Sequence, residues 1–216
     1  MSAGREQVEL LEKNKPRQAR AKRTYEAILE AAAGLLVEIG VERISTNLIA
    51  ERAGITVPAL YRYFPNKYAV LYALGAKLMD RQNRIAADWY DTHVAVDDPR
   101  RLVAGIYSLL RDTYEGFREQ RGALEILQAL RAVAPLRELR LRSRRLVSEQ
   151  LAVLLAPLLP RIGADALAIQ SRLSVEMGYD VIEMALEEQL VNPDVILSEG
   201  ARMIGSYWAA ALEDTR

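Results

Sequence analysis

The stretch STNLIAERAGITVPALYRYFPNK, from Ser45 to Lys67, gathers side chains suited to chemistry at an anionic surface: Thr46, Asn47, Thr56, Tyr61, Arg62, Tyr63 and Lys67. Hydroxyl, amide, guanidinium and ammonium groups all donate hydrogen bonds to phosphate oxygens or base edges. Their spacing predicts two short helices joined by a tight turn. The first opens at Ser45 and Thr46, whose hydroxyls accept from the exposed N–H groups of its first turn, with Leu48, Ile49 and Ala53 on its apolar side. Gly54 ends it, because a helix end commonly needs the positive φ that glycine tolerates. Thr56 then offers a second cap. Pro58 fits the first turn of the next helix, where its missing N–H has no intrahelical partner to lose. Leu60 and Phe64, four apart, point inward, and Pro65 stops the helix.

A short helix bearing two tyrosines and an arginine suits the major groove of DNA. Residues at its start reach base edges while the flanking phenols and Lys67 donate to phosphates. The same pattern also fits an ordinary helical hairpin in which Tyr61 and Tyr63 are half-buried packing residues.

The spelling of the segment narrows this choice. A helix ending at Gly40, the Thr cap, Ile49-Ala50, Ala53-Gly54 and the run Leu60-Tyr61-Arg62-Tyr63-Phe64-Pro65-Asn66-Lys67 together resemble the N-terminal DNA-binding domain of the TetR family of transcriptional regulators. The resemblance covers residues 20 to 75. It implies that Thr46, with Asn47 beside it, caps the first motif helix and contacts phosphate. It further implies that Thr56, Val57, Pro58 and Ala59 begin the recognition helix, that Tyr61 and Tyr63 are phosphate-contacting aromatics, and that Lys67 is the phosphate lysine. Two departures stand out: the family often has glycine or a small polar residue at Pro58, and a polar residue at Val57. Val57-Pro58-Ala59 therefore favours apolar contacts, for example with thymine methyl groups, and base recognition that leans on Arg62 or on DNA shape.

The elements that position this motif are helical throughout. Ile28, Leu29, Ala32, Leu35, Leu36 and Ile39 recur at three-four spacing and predict a helix from Thr24 to Ile39, with Gly40 as its stop. A long helix follows from Asn66 to Tyr90, in which Gly75 is either a bend or a tolerated helix glycine. Asp91 to Pro99 reads as a loop. Helices are predicted over Arg100 to Glu119, Ala123 to Val133, Leu136 to Leu159, Ala164 to Leu190 and Pro193 to Asp214. The fold class is all-α. A flexible basic arm is expected over residues 1–20, a three-helix DNA-binding head over 21–67, and a helical effector-binding and dimerisation body over 68–216.

Half of the 216 residues are hydrophobic, ample for a core, and 29 basic residues balance 29 acidic ones. The distribution is uneven. From Lys13 to Lys67 there are ten Lys and Arg against five Glu; from residue 68 onward there are 18 basic against 21 acidic residues. A basic head on an acidic body is the footprint of a protein that meets phosphates at one end.

Cysteine is absent, which removes disulfides, thiolate nucleophiles and cysteine-ligated metals. The first residues carry no apolar signal-like core and Leu151 to Leu159 is too short to cross a bilayer, so a soluble cytoplasmic protein without a membrane partner is expected. The lone His93 beside Asp88, Asp91, Asp97 and Asp98 lacks a second histidine, and no metal or other cofactor is expected. Arg137, Arg140, Arg142, Arg144 and Arg145 form either an anion or second DNA site or a solvated face with Glu138 as partner. No glycine-rich phosphate loop, nucleophile motif or convergent carboxylate pair points to an enzyme. A helical-bundle enzyme and a helical scaffold for protein partners are the competing readings; the scaffold leaves the basic, tyrosine-rich motif unexplained.

The resemblance implies a homodimer in which the last two helices pair with their copies, a DNA operator built as an inverted repeat, and repression relieved by a small apolar or amphipathic effector. Trp89, Tyr107, Tyr114, Phe117, Met177, Tyr179 and Met184 are the candidate pocket residues, each at a spacing that ordinary core packing also explains.

Overall fold

The three-four pattern of Ile28, Leu29, Ala32, Leu35 and Leu36 becomes the buried face of α1 (Ala19–Arg43) in the computed structural model, which describes residues 9–10, 18–93 and 105–213. Eight further α-helices follow among the described residues, and no strand: α2 (Thr46–Arg52), α3 (Val57–Tyr61), α4 (Lys67–His93), α5 (Ile106–Arg118), α6 (Ala123–Ala132), α7 (Arg137–Leu155), α8 (Ala164–Glu187) and α9 (Pro193–Glu213). A 3-10 turn, Ala134–Leu136, leads into α7. The all-α expectation holds. No helix among the described residues is long and apolar enough to cross a membrane. The expectations for the arm residues Lys13, Lys15 and Arg17, for Leu102, and for the side chains of His93, Asp97 and Asp98 lie outside the described residues.

The chain divides into two compact units. One takes in Met1–Leu78 and Arg121–Arg140, the other Met79–Gln120 and Leu141–Arg216. The first unit thus extends past residue 67, where the sequence pattern suggested a boundary, and adds a segment distant in sequence. The reason is packing: α6 lies against α1, and its Leu130 meets α4 at Gly75. A methyl at Gly75 would stand 2.8 Å from a Leu130 methyl, so this glycine is a point of close helix approach within a continuous α4. Gly122, at φ 71°, starts α6 in the left-handed conformation that glycine alone adopts cheaply. Ile49, Leu60 and Phe64 are fully buried beneath the motif.

Gly40 breaks α1 as its type predicts, with φ 73° and ψ 170°, although one further helical turn carries the chain to Arg43. There Arg43 Nε donates to the Ile39 carbonyl at 2.9 Å.

In the second unit α5 packs on α8 and α9, which pack on each other. Gly200 of α9 is buried where any Cβ would overlap the branched side chain of Val181, and this sets how near the two helices come. The arginine cluster is divided. Arg137, Arg142 and Arg145 are exposed, but Arg144 is 1% exposed and ion-paired with Glu183 at 3.1 Å and Glu176 at 3.5 Å. Its guanidinium also lies 3.6 Å from the ring centroid of Tyr179. For Arg144 neither a solvated face nor a DNA site is correct. Two carboxylates and an aromatic face on α8 offset the cost of taking its charge out of water.

Candidate nucleic-acid interface

Ser45 and Thr56 cap the two motif helices, whereas Thr46, also expected to cap the first, is its first residue and turns its hydroxyl to Tyr61. Ser45 Oγ accepts from Leu48 N at 3.3 Å, and Thr56 Oγ1 accepts from Ala59 N at 3.4 Å. Each cap satisfies a first-turn donor that otherwise lacks a partner. Gly54, at φ 66°, turns the chain between the helices. Only Ile49 and Ala50 of α2 are buried; Leu48, expected on the apolar side, is exposed, because seven residues give the helix just two positions facing the core.

The groups suited to phosphate lie on both helices. The Tyr61 hydroxyl sits 3.2 Å from Thr46 Oγ1, joining residues 15 positions apart into one polar edge. Asn47, Pro58, Tyr61 and Arg62 are exposed, and Val57 and Ala59 are half-buried. Tyr63 is half-buried and packs edge-on against Tyr25, with ring centroids 6.5 Å apart. Tyr25 is also 5.2 Å from Phe64, so an aromatic trio ties α1 to the end of the motif.

Lys67 has structural partners as well. Its Nζ donates to the Ile44 carbonyl at 3.1 Å and reaches the Glu42 carbonyl at 3.5 Å, which closes the end of α1 over the motif. An ammonium has three N–H donors, so one remains for an anion.

Sequence reasoning missed two features. Asn66 caps α4 by accepting from Ala69 N at 2.9 Å, which an Asn just before a helical run signals. Arg52 makes a two-pronged pair with Glu38, at 2.8 and 2.6 Å, and holds that carboxyl below its usual range; no local pattern connects positions 14 apart.

The family model for bacterial regulatory proteins of the tetR family matches residues 28–74, the segment that contains this geometry. This segment carries the DNA-binding domain of the TetR family. It is 33% identical over 92 residues to the tetracycline repressor protein class A from transposon 1721 in Escherichia coli, across 43% of this chain and 40% of that protein. The match therefore spans two-fifths of that relative's length. A solved TetR-assigned structure from Syntrophomonas wolfei superposes with a TM-score of 0.69, at 14% identity, over 87% of this chain and 96% of that one. SmeT, repressor of the Stenotrophomonas maltophilia multidrug efflux pump SmeDEF, gives 0.65 at 22% identity over 86% and 91%. These structural likenesses concern the fold.

The second unit holds a cavity of about 90 Å³. Trp89 and Tyr179, both foreseen, lie in its wall with Tyr90, Leu110, Val147 and Trp208. Tyr114 and Phe117 are buried but outside the lining, and Tyr107 instead donates to Asp194 at 3.1 Å. Met177 and Met184, 40% and 55% exposed, are corrected: both point away from the cavity on the outer face of α8. The inner face of that helix carries small and polar residues, Ser171, Ser174 and Gly178, which a hydrophobicity pattern does not select.

Proposed function

We propose that this protein is a homodimeric repressor of transcription whose α2–α3 motif binds an inverted-repeat DNA operator and whose second unit takes a small effector that releases it. The observation that carries the reading is the polar edge formed by Thr46 and Tyr61, with Arg62 beside it and Lys67 following, on a doubly capped pair of helices within the segment matched by the regulator family. Such an edge follows the phosphate backbone, and the exposed start of α3 is left for base edges. The repressors named among its relatives support this direction of control.

The outer faces of the last two helices support pairing with a second copy. Ile169, Leu173, Met177 and Met184 stand exposed on α8, and Val195, Met203 and Tyr207 on α9. So many large apolar side chains on two adjacent helices is the signature of an association surface. The apolar cavity supports effector binding, and α4 contributes residues to both units, which makes it the candidate link. The effector needs only to prefer the conformation that does not fit DNA; a coupling of about 1–3 kcal/mol suffices for such a switch.

Selection from random duplex oligonucleotides with the purified protein, followed by a salt titration on the enriched sequence, tests the reading. An enriched inverted repeat with steep salt dependence supports it. Absence of enrichment, with only weak binding at low salt, overturns it.

A further inference from the structure

The cavity of the second unit has a chemistry of its own. Trp89, Tyr90, Tyr179 and Trp208 give it an aromatic wall, and Ile106, Leu109, Leu151 and Leu155 are among the aliphatic residues that complete it. No residue that lines it carries a charge. The guanidinium of Arg144, which lies over the Tyr179 ring, is already committed to Glu183 and Glu176. An anion would have to compete with two carboxylates, and a cation would find none on the wall. The indole N–H of Trp89 is satisfied by Ser108 Oγ at 2.9 Å, and the Tyr90 hydroxyl donates to the Val147 carbonyl at 3.4 Å. Three hydroxyls and an indole N–H remain, those of Thr113, Ser174, Tyr179 and Trp208. Thr113 and Ser174, 5% and 7% exposed, line the cavity, and neither has a side-chain hydrogen bond among the described residues.

We infer that the cavity binds an uncharged, compact apolar molecule carrying one hydroxyl or carbonyl group, which Thr113 and Ser174 hold by hydrogen bonding. The inference rests on the effector reading above and narrows it to neutral ligands, excluding the amphipathic acids and amines that an apolar pocket with a charged rim would take. Ionised groups lose hydration on burial and find no opposite charge on the wall, a loss that an aromatic face only partly offsets for a cation, whereas a hydroxyl finds Thr113 and Ser174 among the polar groups that lack a partner.

Both tryptophans of the chain lie in the cavity wall, so intrinsic fluorescence reports on its occupant. Four fluorescence-silent probes of nearly equal size separate the possibilities: methylcyclohexane, cyclohexylmethanol, cyclohexanecarboxylate and cyclohexylmethylammonium. The full-length protein is expected to bind the alcohol, and the two ions roughly a hundredfold or more weaker. Thr113→Val with Ser174→Ala should cost the alcohol roughly threefold to tenfold while methylcyclohexane binds as before. Equal or tighter binding of either ion, or no response to any probe, overturns the inference. So does an alcohol affinity that the double variant leaves unchanged while its unfolding shows a native fold; if the double variant fails to fold, the probe series on the native protein still decides. Displacement from DNA is a separate measurement. Neutral probes that bind without releasing DNA would refute the effector reading and leave the cavity's selectivity standing.

Discussion

The Tyr61 hydroxyl lies 3.2 Å from Thr46 Oγ1, so the first residue of α2 and the last of α3 share a hydrogen bond at the exposed edge of the motif. Whichever hydroxyl accepts in this pair keeps its own O–H for a phosphate oxygen, while the one that donates must share or give up the contact. Tyr61→Phe should therefore weaken operator binding by about 1.5–3 kcal/mol, the range for a hydrogen bond to a charged acceptor, without altering base preference. Fluorescence anisotropy on matched and mismatched operators reads this. A changed base preference would place Tyr61 at a base edge instead.

Lys67 is expected to serve two roles. Lys67→Met removes the donors to the Ile44 and Glu42 carbonyls and should lower the melting temperature. If its remaining donor meets a phosphate, the logarithmic salt slope of DNA binding should also flatten by about one. A lower melting temperature with an unchanged slope would confine this lysine to closing α1.

Arg144 and Glu183 form a buried pair, and breaking it should cost more than replacing it. Arg144→Met takes the guanidinium away from the buried Glu183 carboxylate and should destabilise the protein by about 3–5 kcal/mol in urea unfolding. Adding Glu183→Met should recover much of the loss. A double variant no better than the single one would show that the guanidinium's stacking on Tyr179 matters more than the pair.

Gly200 sets the separation of α8 and α9. Gly200→Ala should destabilise by about 1–3 kcal/mol through overlap with Val181, and Val181→Ala in the same chain should relieve the overlap. Thermal unfolding of the two single variants and the pair gives the coupling directly; additive losses would argue against contact at this point. On the opposite, exposed faces, Leu173→Glu with Tyr207→Glu should yield a folded monomer in sedimentation, since neither side chain belongs to the core. A persistent dimer would refute the proposed pairing surface.

Burial raises the Tyr90 hydroxyl above its ordinary pKa of 10.0, with a further push from Tyr179. Burial likewise raises Tyr179, against the pull of Arg144. Both tyrosines stay neutral in the folded state at a pH where the unfolded chain already loses their protons. The stability they contribute is thus fully present below pH 10 and lost as pH rises through the folded values, at up to about 1.4 kcal/mol per pH unit for each group. Tyr90→Phe should make the alkaline fall in stability shallower, as measured by urea midpoints across that range. An unchanged slope would mean that Tyr90 titrates alike in both states.

The motif was legible because its signals are local. Ser45 and Thr56 cap helices within three residues of themselves, Gly54 takes the positive φ its type permits, and Leu60 and Phe64 are buried as their spacing requires. Capping, turn chemistry and helical periodicity act over a few residues, so the sequence alone carried the all-α class, the doubly capped pair of helices and the family resemblance.

Other outcomes belonged to the tertiary structure. Glu38 reaches Arg52, Tyr61 reaches Thr46, and Arg144 turns inward to carboxylates 39 and 32 positions away because helices distant along the chain pack side by side. On α8 the choice was between faces. Met177 and Met184 looked like core residues, yet the buried face carries Ser174, Gly178 and Tyr179. Small side chains let helices approach and leave room for a cavity, whereas large apolar ones on the outer face suit a second surface. Hydrophobicity marks what avoids water; only the packing of neighbouring helices decided which face that need was met on.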